Sequence, residues 1–401
     1  MTHPRRIRAW GHGLLPGLLA ALAAVACGAP EATPPAAPEA TAQPPAGPGA
    51  IAPHLVTDGD DLLLSWLEPS WRLVASRLHD GAWSEPAVIA EGTDFFANWA
   101  DVPKLALAGD GTLWAHWLAK LGEETYAYGI FLARSTDGGV TWQPRGMLHD
   151  DGTPTEHGFV AWTAEGDGLR AVWLDGRAML DGGPMALRTA PVGETVGTAE
   201  VLDARVCECC PAELVAAAGS PIAFYRDRSR EEVRDIGVTR RTPAGWTAPA
   251  TLHDDGWTIP GCPVNGPAAE ARGREVAAAW FTAADQRPRV QVAFSTDAGA
   301  SFGAPVVVDD GTPLGRVDLA LAAGGGAWVS WLAAAGDGAQ LRLARVDGSG
   351  ILESRTVATT AASRASGIPR LARAGAELFV AWVETAAGEG VSTIRVARLE
   401  G

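Results

Sequence analysis

One short pattern, an apolar run closed by an aromatic residue, returns seven times along the chain. Trp66, Trp117, Trp173, Tyr225, Trp280, Trp331 and Trp382 close these runs, at intervals of 51, 56, 52, 55, 51 and 51 residues. A unit of this size cannot bury its own hydrophobic face, so neighbouring units must supply the core. Around Trp117, residues 104–107 alternate, Gly109-Asp110-Gly111 makes a turn, and residues 113–118, 130–133 and 146–148 supply three more strands. Gly, Asp and Pro bound these strands, and no helical period runs through them. The pattern predicts an all-β chain, a β-propeller of four-stranded antiparallel blades. There are seven blades by this count, or six if one terminal unit is miscounted. The last unit ends after its third strand, so ring closure is expected from a strand around Ala50-Ile51-Ala52.

The ends read differently. Arg5, Arg6 and Arg8 precede a mostly apolar stretch at 14–25, and Ala24-Val25-Ala26-Cys27 has the form of a bacterial lipobox. Residues 1–27 are therefore read as a lipoprotein signal peptide with Cys27 as the lipidated residue. Residues 28–53, mostly Ala, Pro, Glu, Thr and Gly, read as an extended tether, and 54–401 as the propeller. This places the protein in a bacterial cell envelope, facing the periplasm or the surface, with membrane contact only through the lipid. The net charge of −15 excludes nucleic acid as a natural partner, since duplex binding needs a basic footprint.

Two octapeptides occupy equivalent turns between strands three and four. One is Ser135-Thr136-Asp137-Gly138-Gly139-Val140-Thr141-Trp142, and the other is Ser295-Thr296-Asp297-Ala298-Gly299-Ala300-Ser301-Phe302. An Asp carboxylate that accepts backbone N–H groups, a Gly in a conformation closed to other residues and an aromatic plug make a compact hairpin device. Ser135, Asp137, Gly139 and Trp142, with Ser295, Asp297, Gly299 and Phe302, match the Asp-box. On these residues the region resembles the sialidase (BNR-repeat) superfamily of propellers. In that superfamily the boxes are structural and lie opposite the active face, so they speak to architecture and not to chemistry. Arg205-Val206-Cys207-Glu208-Cys209-Cys210 and Cys262-Pro263-Val264-Asn265-Gly266-Pro267 are similar to segments of a bacterial subgroup of sialidase-like lipoproteins, a resemblance that implies no particular activity.

The resemblance implies an arginine triad, a tyrosine nucleophile activated by glutamate and an aspartate acid/base. The chain departs from this pattern. The positions of the family's Arg-Ile-Pro motif read Asp101-Val102-Pro103 and Gly367-Ile368-Pro369, and no tyrosine follows Tyr225. Little sialidase activity is expected. If the protein is a glycoside hydrolase, its carboxyl groups are sought among Asp101, Glu156, Asp227 and Asp318. His157, Arg205, Arg226, Arg228, Asn265 and Arg316 are the candidates for holding a glycan or another small anionic ligand.

These residues belong to the loops from strand four to the next strand one, or from strand two to three, which share one face. The segment from Arg226 to Asp235 is the densest run of charge, and its mixed signs can also pair with one another. A non-catalytic platform for a periplasmic protein or ligand is the rival reading.

Cys207, Cys209, Cys210 and Cys262 lie in loops that flank the fourth unit and are expected to meet on that face. Export favours two disulfides, with adjacent Cys209 and Cys210 pointing to opposite sides and finding different partners. No cofactor is required. The alternative is a thiolate site for zinc or copper, with His157 as an added ligand, or a redox site.

Overall fold

The computed structural model describes residues 43–385 and 391–399. Cys27 and most of the tether lie outside the described residues. Seven antiparallel sheets follow one another along the chain, at residues 51–91, 105–147, 157–203, 213–251, 268–309, 313–361 and 370–399 (blades 1 to 7). Each blade meanders through four strands, except blade 7, which has three. The outermost strand is split in blade 1 (Ala82–Trp83, Ala87–Glu91) and in blade 4 (Gly245–Trp246, Ala250–Thr251). The described residues hold only three short 3-10 turns, and no helix among them is long and apolar enough to cross a membrane. The chain is a seven-bladed β-propeller.

All seven repeat aromatics fall in the second strand of their blade, from Trp66 in Asp61–Glu68 to Trp382 in Glu377–Glu384. The hydrophobic clusters span neighbouring blades. Leu62, Trp66 and Val74 of blade 1 pack with Phe379, Ile394 and Val396 of blade 7, and Phe281 and Val290 of blade 5 pack with Trp331 of blade 6. This is the burial that a single unit could not achieve alone.

Two kinds of polar stitch join the blades. On or just before the inner strands, a side chain accepts a backbone N–H from the next blade. His54 Nδ1 takes it from Leu105 (3.2 Å), Asp101 Oδ1 from Phe159 (2.8 Å), Asn265 Oδ1 from Arg316 (2.7 Å), Glu270 Oε2 from Leu321 (2.5 Å) and Asp318 Oδ2 from Leu371 (2.8 Å). Bulges interrupt the inner strands of blades 1, 3 and 6, where Ala52, Phe159 and Arg316 take positive φ. Such a bulge leaves an N–H out of its own ladder, which frees the Phe159 and Arg316 groups for these bonds.

In blades 4, 5 and 6, the polar end of the repeat aromatic donates to an acid at the end of the preceding blade. Tyr225 Oη reaches Asp203 at 2.7 Å, Trp280 Nε1 reaches Asp255 at 2.7 Å and Trp331 Nε1 reaches Asp309 at 2.6 Å. These bonds give Asp203, Asp255 and Asp309 a structural task, since a buried indole N–H or phenol O–H is best matched by an acceptor.

Ring closure differs from the expectation. Ile51 does not complete blade 7 but pairs with Leu67 inside blade 1, in strand Ile51–Asp58. Residues 43–50 run beside the open edge of blade 7 instead. Gly49 N–H donates to Ser392 O (2.8 Å), and Ala46 and Ala50 pack on the cluster that holds Ile394 and Val396. Residues 43–53, assigned to the tether from composition, are thus part of the ring. Alanine and proline carry no strand signal, so packing decides their place.

Candidate functional site

The two octapeptide turns adopt one geometry. Ser135 Oγ donates to Asp137 Oδ1 (2.8 Å) and accepts Gly139 N–H (2.9 Å), while Asp137 accepts both the N–H and the hydroxyl of Thr141. Ser295, Asp297, Gly299 and Ser301 repeat these bonds. Trp142 joins the cluster of Leu63 and Leu113, and Phe302 meets Phe224 edge to face, so each aromatic plugs a seam between blades.

Most of the candidate ligand groups are committed to the protein itself. Arg226 is fully buried, and its guanidinium donates to three backbone carbonyls: Asn265 (2.7 Å), Arg234 (2.5 Å) and Phe281 (2.7 Å). Arg316 donates to Ser363 O (2.8 Å) and lies over the Trp99 ring; burial lowers it to about 10. Asn265 spends its carbonyl on Arg316 N–H and its amide on Pro263 O and Leu314 O. Arg228 is paired with Glu232 and Glu208. The charges between Arg226 and Asp235 therefore largely neutralise one another. Arg205 is half-exposed, with its backbone N–H on Asp203.

The four candidate acids separate into two kinds. Asp101 and Asp318 are struts between inner strands, and burial raises them to about 8 and about 6. Glu156 and Asp227 lie in loops, just before strand His157–Glu165 and just after strand Ser220–Arg226. Burial pushes Glu156 up to about 7, against a hydrogen bond from Tyr128 Oη at 2.7 Å. Asp227, half-buried beside Asp203 and Asp235, rises to about 6, mainly through burial. The sequence reading missed the Tyr128–Glu156 contact. Tyr128 is fully buried and stacked on Phe96, with ring centroids 4.1 Å apart, and no motif marks it.

His157 does not join the cysteines. It is buried with its ring stacked on His149 (3.9 Å between centroids), its Nδ1 donates to Thr155 O, and its Nε2 lies 3.2 Å from Asp151. His149 holds the other oxygen of Asp151 at 2.8 Å, and Arg177 bridges Asp151 and Asp175.

Three of the four cysteines converge. The Sγ atoms of Cys207, Cys209 and Cys210 lie within 4.8 Å of one another, at 3.7 Å for Cys207–Cys209 and 3.4 Å for Cys207–Cys210, while Cys262 stands outside this group, beside Cys209. No pair is at bonding distance: all four are free thiols, against the expected disulfides. Residues 207–210 form a turn and not an extended segment, so Cys209 and Cys210 face the same centre instead of opposite sides. Hydrogen bonding with Cys209 and Cys210, together with Arg234 Nη1 at 3.0 Å, holds Cys207 far below the usual thiol range. Hydrogen bonding to Cys207 pushes Cys209 up, and burial does the same for Cys210.

The inner strands enclose a central channel. His54, Lys104, Glu213, Glu270, Asp318, Arg370 and Arg373 line a cavity of about 380 Å³. The carboxylates here are tied to backbone N–H groups: Glu213 to Leu214, Glu270 to Leu321, and Asp318 to Leu319 and Leu371. The cations are not. Arg370 Nε and Nη2 and Arg373 Nη1 are buried without a hydrogen-bond partner among the described residues.

No protein-family model matches the sequence, and no curated protein matches it either. Among solved structures, polysaccharide lyase Uly1 is similar over 87% of this chain and 90% of its own, with a TM-score of 0.53 at 9% identity. A protein of unknown function from Dyadobacter fermentans aligns over 88% and 95% of the two chains, with a TM-score of 0.49 at 15% identity. The Hadza microbial sialidase Hz136 aligns over 71% and 63%, with a TM-score of 0.45 at 17% identity. Likeness at these identities is a likeness of fold.

Proposed function

We propose that this is an envelope-tethered, ligand-binding propeller that takes a small anion, such as the carboxylate of an acidic sugar, into its central channel. The observation that carries this reading is the asymmetry of the channel wall. Its carboxylates are bonded to backbone N–H groups, whereas Arg370 and Arg373 present buried donors with no acceptor. Lys104 lies on the same wall, more than nine-tenths buried, and burial lowers its pKa. Buried guanidinium donors left unmatched are costly, and an anion with two or three oxygens would satisfy them through charge-assisted bonds once the arginine side chains turn toward the channel. The cavity has the size of a small-molecule site. Among the loop residues first expected to hold the ligand, Arg226 and Arg316 are spent on carbonyls and Arg228 on carboxylates, which favours the channel over the rim. Tethering rests on the leader and Cys27.

Calorimetric titration with glucuronate, phosphate and neutral glucose tests the reading. Glucuronate or phosphate is expected to bind, glucose is not, and Arg370→Gln is expected to weaken the anion by about tenfold or more through loss of a charge-assisted pair. Absence of anion binding, or binding indifferent to both Arg370→Gln and Lys104→Met, refutes it.

A further inference from the structure

The cysteine centre lies apart from the channel reading and has its own chemistry. Its donors are all sulfur. Glu208, which sits between two of the cysteines in sequence, is held by Arg228 and by Arg234 at 3.2 Å, so it is not free to ligate. Hard, oxygen-seeking cations are therefore poorly matched, while thiolate-seeking ones are well matched.

The spacing of the sulfurs narrows the choice. In a tetrahedron with metal–sulfur bonds of about 2.3 Å, the sulfurs are separated by roughly 3.8 Å. A disulfide would require about 2.05 Å. The observed 3.7 and 3.4 Å belong to the first case. Cys262 comes from the loop that leaves blade 4 and stands beside Cys209, outside the three-sulfur group formed by the loop that enters the blade, so it is the donor that moves in to complete the tetrahedron.

We propose that Cys207, Cys209, Cys210 and Cys262 bind one zinc ion as a tetrathiolate. Cys207 is fixed from behind by its N–H bond to Arg226 O (3.0 Å), in turn the residue whose guanidinium ties three segments together. Four thiolates on a divalent ion leave a double negative charge. Arg234, almost fully buried, offsets part of it by donating directly to Cys207 Sγ, as an outer-sphere partner that orients its ligand. Cys207 and Cys210 are buried, whereas Cys262 is exposed. The metal would clip the entrance of blade 4 to its exit, and Cys262 would be the ligand through which it enters and leaves.

The test uses full-length protein extracted and purified without oxygen, with metal content, thiol count and cobalt substitution as readouts. One zinc per chain is expected, and cobalt in its place should give the intense visible absorption of a tetrahedral thiolate. Cys262→Ser is expected to fold, because the residue is exposed, and to shift that cobalt spectrum as one sulfur is replaced by oxygen. It should also weaken zinc by more than about tenfold, since even loss of an outer-sphere partner costs about that much. Cys207→Ser should abolish binding, with near-ultraviolet circular dichroism confirming the fold. Two disulfides that, once reduced, still take up no zinc or cobalt would overturn the proposal. So would a monovalent copper ion held tightly with no change on Cys262→Ser, since that is a three-sulfur site.

Discussion

Asp101 offers the sharpest test of how the inner ring is held together. Its Oδ1 accepts the Phe159 N–H at 2.8 Å, while Oδ2 is buried with no hydrogen-bond partner. Glycine at 158 makes room for it, since a Cβ there would sit 2.0 Å from Oδ2. Burial, the largest cause, raises the carboxyl to about 8; the Phe159 bond opposes the rise, the Glu156 charge adds to it and Lys104 counters it. The folded pKa thus exceeds the unfolded value of about 4. Below pH 4 both states carry the proton and the strut's full stability is present. As pH rises through about 8, the unfolded chain ionises first, and stability falls by about 1.4 kcal/mol per pH unit from this group.

Asn keeps the acceptor for Phe159 but cannot ionise, so Asp101→Asn should lack this slope. Urea denaturation at pH 5, 6 and 7 is the assay. The stability of the variant relative to the native protein is expected to grow by roughly 2–3 kcal/mol across that range. Glu156 titrates in both proteins, so it leaves the difference except through its repulsion of Asp101. A constant offset from the amide N–H groups shifts both ends equally and does not alter the slope. Asp101→Ala, which strands the Phe159 N–H, should cost about 1–3 kcal/mol at pH 5. Parallel pH profiles for the native protein and Asp101→Asn would refute the reasoning.

Arg226→Met should destabilise the fold by about 3–5 kcal/mol, because three buried carbonyls lose a charged donor; chemical denaturation with an unchanged m-value checks this. A shift of less than 1 kcal/mol would mean that those carbonyls find other partners. Cys27→Ser is expected to leave the protein soluble in the periplasm instead of partitioning into detergent, as followed by immunoblotting of the two phases. A fluorogenic sialoside should not be turned over, since Arg226 and Arg316 are engaged with carbonyls and Asp101 and Asp318 with the next blade. Robust hydrolysis abolished by Tyr128→Phe would reverse that conclusion.

What the sequence determined by itself was the part of the structure that is local. Strand alternation, turn glycines and the aromatic interval are properties of short stretches, and they delivered seven blades with each aromatic in strand two. The turns at Ser135 and Ser295 were legible for the same reason, as each closes on itself within a few residues. The convergence of the cysteines could be anticipated because topology alone puts the entry and exit of one blade on one face.

What only the tertiary structure decided was the partner of each polar side chain. Asp101 looked like an acid and Arg226 like an anion receptor, but their partners are a Phe159 N–H and the carbonyls of Asn265, Arg234 and Phe281. Every residue carries a carbonyl and nearly every one an N–H, so no residue type announces such a bond. Arg370 and Arg373 drew no notice in the sequence for the converse reason. That they line a cavity while some of their donors stay buried without a partner depends on how seven inner strands, each about fifty residues from the next, close around one axis.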